Sequence, residues 1–144
     1  MCDKKLTENQ IKEMVSARLT EYEDMSLLEQ YAMFMGKAQV LEFGLKGLLH
    51  RRYNVPFEKM EHLTLGQAKT ELERKALRPD FIAYLQRVVK HRNDMAHAFL
   101  LNLAITKSLA DFSDRKLFGD LFRASYELEQ IMIFYDWCEE NNCW

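Results

Sequence analysis

The sequence predicts an all-α protein, an antiparallel four-helix bundle with one additional short helix. The chain has only 5 glycines and 2 prolines, which is too few for the many tight turns of a β protein. Apolar residues recur at spacings of three and four along most of the chain, and this period is typical of amphipathic helices. The 144 residues suffice for one core, so we expect a single helical domain, 1–144.

Local signals predict where the first three helices begin and end. The segments 7–10, 26–29 and 64–67 have the form of capping boxes, in which Ser or Thr and Glu or Gln satisfy free backbone amides. The first helix should reach about Glu23. The second should end shortly before Pro56, because proline cannot continue a helix.

The fourth helix should begin at 78–80, where a proline suits the first turn and an aspartate complements the helix dipole. The last helix should begin at a cap formed by Ser113 or Asp114 and run to 141–142. Connectors of about ten residues, 54–63 and 104–113, remain. The core face of the fourth helix is predicted to carry Phe81, Leu85, Val88, Arg92, Met95 and Phe99.

Composition excludes several classes of protein. The chain has 20 basic and 22 acidic residues, so no overall positive field draws it to nucleic acid, and any RNA site must be a local patch. Cys2, Cys138 and Cys143 form no CxxC pair and are expected to be reduced thiols in a cytoplasmic protein. No apolar run is long enough to span a membrane. No histidine spacing indicates a metal, and we expect no cofactor.

One position interrupts the apolar face of the fourth helix. Five of its six core positions are apolar, and the sixth is Arg92. A guanidinium keeps its charge, so burial without a partner costs roughly several kcal/mol. A local break in a consistent pattern indicates function or an interface. The structural alternatives are a buried ion pair with a glutamate or exposure at the rim of the core.

Two further polar residues follow Arg92 on the same helix. Asn93 and His97 stand four apart and share a face, so the amide can hydrogen-bond the imidazole and orient it. Arg92 and His97 are five apart, which corresponds to about 140° around a regular α-helix. They converge only through the long arginine side chain, a local bend or a second subunit. This geometry favours a dimer.

The segment from Arg92 and Asn93 to His97, with four residues between the arginine and the histidine, resembles the RNxxxH-type signature of the HEPN superfamily of small helical nucleotide-binding and ribonuclease domains. The predicted architecture agrees with this resemblance. HEPN domains resemble a four-helix bundle with an added short helix, and their motif falls late in a long helix. The similarity covers nearly the whole chain in architecture and six residues in motif.

The resemblance implies a metal-independent endoribonuclease that works as a homodimer, with two copies of the motif at one cleft. His97 would be the general acid or base that moves a proton to or from the ribose 2'-hydroxyl or the leaving 5'-oxygen. Arg92 would hold the scissile phosphate and stabilise its charge. Asn93 would orient His97 or bind substrate. The products would be a 2',3'-cyclic phosphate and a 5'-hydroxyl end.

Residues near the motif extend this hypothesis. Arg87, Lys90 and His91 add positive charge just before it and are candidate substrate-binding residues, although an ordinary solvated helix face is the alternative. Aromatic residues elsewhere could form a base-stacking platform, but their helical spacing predicts a core role. This aromatic set comprises Tyr31, Phe34, Phe43, Phe118, Phe122, Phe134 and Tyr135.

Three interpretations remain open from the sequence. The first is an RNA-cleaving HEPN protein, acting as a toxin or defence effector held in check by an inhibitory protein partner. The second is a non-catalytic HEPN-like dimeric module that binds nucleotide, RNA or a protein. The third is an unrelated helical bundle in which Arg92 forms a structural ion pair. The intact Arg92, Asn93 and His97 favour the first interpretation over the second.

Overall fold

The computed structural model describes residues 2–101 and 112–144, and in these ranges the chain is helical and contains no β-strand. The all-α class predicted from the sequence is therefore confirmed for the described residues. Short 3-10 turns follow α1 and precede α3, and a π-helical segment, Met95–Phe99, continues α4. In the part of the chain that the structure describes, the long α-helices are α1 (Glu8–Leu19), α2 (Leu27–Tyr53), α3 (Leu65–Arg74), α4 (Pro79–Asp94) and α5 (Phe112–Asn141).

The predicted capping residues begin the first three helices. At α1 the Thr7 hydroxyl accepts from the Gln10 amide at 3.2 Å, while the Thr7 amide donates to the Gln10 side chain at 3.0 Å. Thr64 and Gln67 form the same reciprocal pair at α3. Ser26 accepts from the backbone amide three residues on and starts α2. These local contacts satisfy amides that have no partner within the helix.

Helix ends also lie close to the predicted positions. α1 ends at Leu19 and a 3-10 turn continues to Tyr22, one residue short of the predicted end. α2 ends at Tyr53, and Asn54 adopts the left-handed conformation (φ 55°) that commonly stops helices. The predicted connector 104–113 lies mostly outside the described residues, as do the side chains predicted to cap α5.

Side-chain contacts define the directions of the long helices. Three contacts show that α2 runs parallel to α5: Lys37 with Glu129, Gly44 with Tyr135, and Arg51 with Glu139. α4 runs antiparallel to α5, because its start packs Phe81 on Phe134 and its later part places His91 against Glu127. α1 packs along α5, and α3 bridges α2 and α4. The end of α4 therefore lies beside the beginning of α2, where Phe99 stacks on Tyr31.

One apolar cluster holds the helices together. The buried side chains of this cluster come from α2, α3, α4 and α5 and from the segments next to them. α1 contributes Val15, which is buried but lies outside the cluster. Burial of this apolar surface is the main driving force for folding. The largest fully buried side chains are Phe34, Phe81, Leu45, Leu49, Met60, Leu65, Leu72, Leu85, Leu121, Leu128, Ile131 and Ile133.

The prediction that all seven aromatic residues belong to the core is wrong for three of them. Phe43 is 74% exposed, Phe118 is 51% exposed and Phe122 is 49% exposed. Phe43 lies on the side of α2 turned away from the core. Phe118 and Phe122 stack on each other on the outer side of α5, with ring centroids 6.5 Å apart. Spacings of three and four place residues on one side of a helix, but they do not decide which side is buried.

A buried acidic residue links three helices. The Glu129 side chain is completely buried and forms ion pairs with Lys37 and, at 3.3 Å, with Arg18. The Tyr22 hydroxyl donates to its Oε1 at 2.7 Å. Burial raises the pKa of the Glu129 carboxyl, but the donors from Lys37 and Tyr22 outweigh burial and hold that pKa below its ordinary value. Burial and the adjacent carboxylate raise the pKa of Tyr22.

The cysteines differ from the prediction of three reduced thiols. Cys2 and Cys143 form a disulfide, with their Cα atoms 5.3 Å apart, and this bond joins the segment before α1 to the end of α5. Cys138 is free and buried. An odd cysteine count leaves one thiol over but does not prevent the others from pairing, and here the fold brings together residues separated by 141 positions. Among the described helices, none combines the length and apolarity that crossing a membrane requires.

Candidate nucleic-acid site

The core face of α4 is buried as predicted, with one exception. Phe81, Leu85 and Val88 are buried, and so are Met95 and Phe99 in the π-helical segment. The sixth position of this face is Arg92, which is half-buried. Its hydrogen bond to Asn93 is exposed, so the guanidinium reaches solvent at the rim of the core, as one of the structural alternatives predicted.

The helix changes its geometry just after Arg92. The π-helical segment Met95–Phe99 hydrogen-bonds over five residues instead of four, so each turn holds more residues than an α-turn does. This wider turn reduces the angle between Arg92 and His97 below the roughly 140° of a regular helix. A π-helical turn therefore stands where the sequence analysis considered a local bend. Turns of this kind are frequent at functional sites.

Arg92 has no carboxylate partner in the part of the chain that the structure describes. Its Nη1 donates to Oδ1 of the neighbouring Asn93 at 3.4 Å, which is a long hydrogen bond. No Asp or Glu oxygen of the described residues lies within 4.0 Å of its guanidinium. A guanidinium has five donors. Most of the guanidinium donors of Arg92 therefore have no partner among the described residues and could bind an anion.

His97 is exposed, and Asn93 does not orient it. The sequence spacing predicts that the Asn93 amide can hydrogen-bond the imidazole four residues on. In the structure the Asn93 oxygen accepts from Arg92 instead, and no hydrogen bond joins Asn93 to His97 among the described contacts. His97 lies within the π-helical segment, which shifts it off the face that a regular helix would give it. Asn93 is thus placed to position Arg92.

Two of the predicted substrate-binding residues face α5 instead of Arg92. Nε2 of His91 lies 2.7 Å from Oε2 of Glu127, and Nε of Arg87 lies 3.9 Å from Oε1 of the same residue. Oε2 of Glu127 is buried, and its close approach to His91 lacks the alignment of a hydrogen bond among the described residues. The Arg87 guanidinium also lies over the Tyr84 ring, 4.6 Å from its centroid.

A cleft of about 240 Å³ opens between the end of α4 and the beginning of α5. Lys90 and His91 line it, together with Arg123 from α5. Its floor is apolar and its rim carries both signs of charge, including Asp94 and Asp120. Arg92, Asn93 and His97 lie outside this lining, so the structure divides the predicted site residues into two groups on different sides of α4.

Sequence reasoning missed the residues that α5 contributes to this region. Glu127, Asp120 and Arg123 stand on α5 among helically spaced apolar residues, where charged residues normally face solvent. No spacing in the sequence indicates that they face α4. Among the described residues, no group of three or more His, Cys, Asp or Glu side chains could hold a metal ion.

Comparison with known proteins gives no assignment. No protein-family model, no curated protein and no solved structure matches this chain. The geometry around Arg92 and the resemblance of segment 92–97 are therefore the two features that bear on function.

Proposed function

We propose that this protein is a metal-independent endoribonuclease of HEPN type, with Arg92 and His97 as its catalytic residues. The observation that carries the proposal is the half-buried Arg92, which has no carboxylate partner among the described residues. A cation at the edge of an apolar core is stable when an anion meets it. A phosphodiester supplies such an anion, and the planar guanidinium binds it through two parallel hydrogen bonds.

The chemistry follows from the two side chains. His97 is exposed, so an RNA strand can reach its imidazole, the side chain that most often serves as a general acid or base. It would accept the proton of the ribose 2'-hydroxyl or donate one to the leaving 5'-oxygen. Arg92 would stabilise the charge that builds on the non-bridging oxygens during in-line attack. Asn93 would hold the guanidinium in place through its side-chain oxygen.

The proposal includes a homodimer and RNA as substrate. It extends to a toxin or defence effector whose activity a protein partner restrains. A π-helical turn narrows the angle between Arg92 and His97 around the helix, which supports a site within one chain as well as one shared by two. A shared cleft with two copies of the motif is therefore one arrangement, and a complete site in each protomer is another.

Cleavage of a single-stranded RNA in the presence of EDTA tests this function. We expect the purified protein to leave 2',3'-cyclic phosphate and 5'-hydroxyl ends, and a 2'-deoxy residue at the scissile position should block the reaction. His97→Ala and Arg92→Ala should each lower the rate by about 100-fold or more, as expected for loss of a general acid–base group or of a phosphate clamp. Circular dichroism and thermal unfolding check that each variant folds.

Matched controls come from the same chain. His62 is exposed in the segment between α2 and α3, and Arg74 is exposed at the end of α3, so His62→Ala and Arg74→Ala should cleave at the wild-type rate. Cleavage at the wild-type rate by both the His97→Ala and the Arg92→Ala variants would reject the proposed site. Complete loss of wild-type cleavage on adding EDTA would reject a metal-independent mechanism.

The second candidate is a binding module without turnover. The hydrogen bond from Arg92 to Asn93 favours it, because a histidine that Asn93 does not orient lacks the positioning typical of a working general base. Fluorescence anisotropy with a labelled RNA separates the two functions. Arg92-dependent binding with no products would support the binding module and contradict the ribonuclease.

A further inference from the structure

The side of α2 that faces away from the core carries a second apolar stripe. We call Met33, Gly36, Val40 and Phe43 the outer stripe; they follow one another at spacings of three, four and three and therefore share a face. Phe43 is 74% exposed, Val40 is 62% exposed and Met33 is 37% exposed. Exposed apolar side chains that share one face of a helix indicate an interaction surface.

Gly36 makes a gap in this stripe that the protomer itself does not require. A Cβ atom placed on Gly36 would meet nothing within 4 Å, whereas a Cβ on Gly44 of the same helix would contact the Tyr135 ring at 3.5 Å. Glycine in the middle of a helix is less favourable than alanine by about 1 kcal/mol. The close packing that explains Gly44 is absent at Gly36. A partner that approaches the helix closely would explain it.

The occupant of this stripe can be inferred from its symmetry. Gly36 and Phe43 are two turns apart, on either side of a point between Gln39 and Val40. If a second α2 lies antiparallel across this point, Phe43 of each copy meets the gap at Gly36 of the other. A two-fold interface requires this kind of self-complementary surface. A parallel pair would instead set Phe43 against Phe43 and leave the two gaps facing each other.

The charges at the two ends of α2 favour the same arrangement. Glu29 lies in the first turn, and His50, Arg51 and Arg52 lie in the last. An antiparallel pair brings each acidic end beside a basic end of the other copy, and it also opposes the two helix dipoles favourably. A parallel pair would bring the basic ends together. We propose that the outer stripe of α2 is the contact between two antiparallel copies of this chain.

This interface keeps the two candidate sites apart. Phe99, at the end of the π-helical segment, stacks on Tyr31, which lies about 13 Å along the axis from the centre of the contact at 1.5 Å per residue. The two-fold axis places the second copy of Tyr31 on the opposite side. The two Arg92 and His97 pairs would therefore not share a cleft. The inference does not depend on RNA cleavage, and of the two arrangements considered under the proposed function it selects a complete site in each protomer.

Sedimentation velocity over a range of protein concentrations tests the proposal. The wild-type chain should form a dimer, and Phe43→Glu should weaken its dimerisation at least ten-fold. Gly36→Leu should do the same by filling the gap, while its monomer becomes more stable to heat because glycine is lost from a helix. Phe118→Glu is the matched control, since Phe118 is exposed on α5 outside the stripe, and it should dimerise like the wild type.

Cysteine cross-linking tests the orientation. An antiparallel contact predicts that Val40→Cys cross-links to itself, and that Gly36→Cys cross-links to Phe43→Cys but not to itself. A wild-type chain that stays monomeric would overturn the proposal, as would a dimer that Phe43→Glu leaves intact or a Gly36→Cys chain that cross-links to itself. RNA cleavage by the monomeric Phe43→Glu variant reports on the proposed function separately.

Discussion

Two charged side chains occupy the edges of the same apolar core, and their surroundings differ. Glu129 on α5 is completely buried and meets Lys37, Arg18 and the Tyr22 hydroxyl. Arg92 on α4 is half-buried, and its contact among the described residues is a long hydrogen bond to its neighbour. The protein satisfies the first charge from three elements and leaves most donors of the second one open.

This difference separates a structural charge from a candidate functional one. Buried charges are stable when they are paired and hydrogen-bonded. Glu129 meets that condition within the fold, so it contributes to the arrangement of α1, α2 and α5 and is closed to ligands. Arg92 does not meet it within the described residues, and an external anion would complete its coordination. Substitution of Glu129 should therefore lower stability more than function, and substitution of Arg92 should lower function more than stability.

The largest expected effect is on the stability of a Glu129→Ala variant. Removal of the carboxylate leaves Lys37 without its partner and the Tyr22 hydroxyl without its acceptor, while Arg18 keeps its ion pair with the exposed Asp136. We expect the free energy of unfolding to fall by about 3 kcal/mol, within the range for breaking a buried ion pair. Urea unfolding measures it. Arg92→Ala should cost less than about 1 kcal/mol, and equal losses in the two variants would contradict the comparison.

A smaller effect should appear in acid. The pKa of Glu129 is held below its ordinary value near 4.5, so the unfolded chain takes up a proton at this carboxyl before the folded chain does. The stability that Glu129 contributes is present above the ordinary value and is lost as the pH falls through the folded pKa. The difference in the free energy of unfolding between the wild type and Glu129→Gln should narrow from pH 6 to pH 3. A constant difference would show that Glu129 is not the titrating group.

Features that depend on residues close together in the sequence could be predicted. Thr7 and Thr64 cap helices through contacts three residues away, and such contacts are visible in a linear pattern. Arg92 was also visible, because the core face of one helix can be followed by its spacing alone. The break in the pattern pointed to a half-buried cation that has no carboxylate partner in the described structure.

Features that depend on tertiary contacts could not be predicted. The partners of Glu129 are 92, 107 and 111 residues away in sequence, and Cys2 and Cys143 are separated by 141. The π-helical segment coincides with a packing demand, since Met95 and Phe99 are both buried and Phe99 stacks on Tyr31 of α2. The exposure of Phe43 has the same origin, because its spacing matches that of core residues and its side of the helix is decided by how α2 packs.

The smallest expected change in stability is that of Arg92→Leu, and this variant best separates a structural from a functional role of Arg92. In Arg92→Leu an apolar side chain completes the core face of α4, so the free energy of unfolding should stay the same or rise by up to about 1 kcal/mol, as expected for a half-buried leucine. Arg74→Leu, on an exposed position of α3, should give no such gain. RNA binding measured by fluorescence anisotropy should be lost in Arg92→Leu and kept in Arg74→Leu. Stability gained with binding lost would mean that the chain keeps a suboptimal core residue for its ligand. A clear loss of stability in Arg92→Leu would instead mean that the arginine holds the fold together, as Glu129 does.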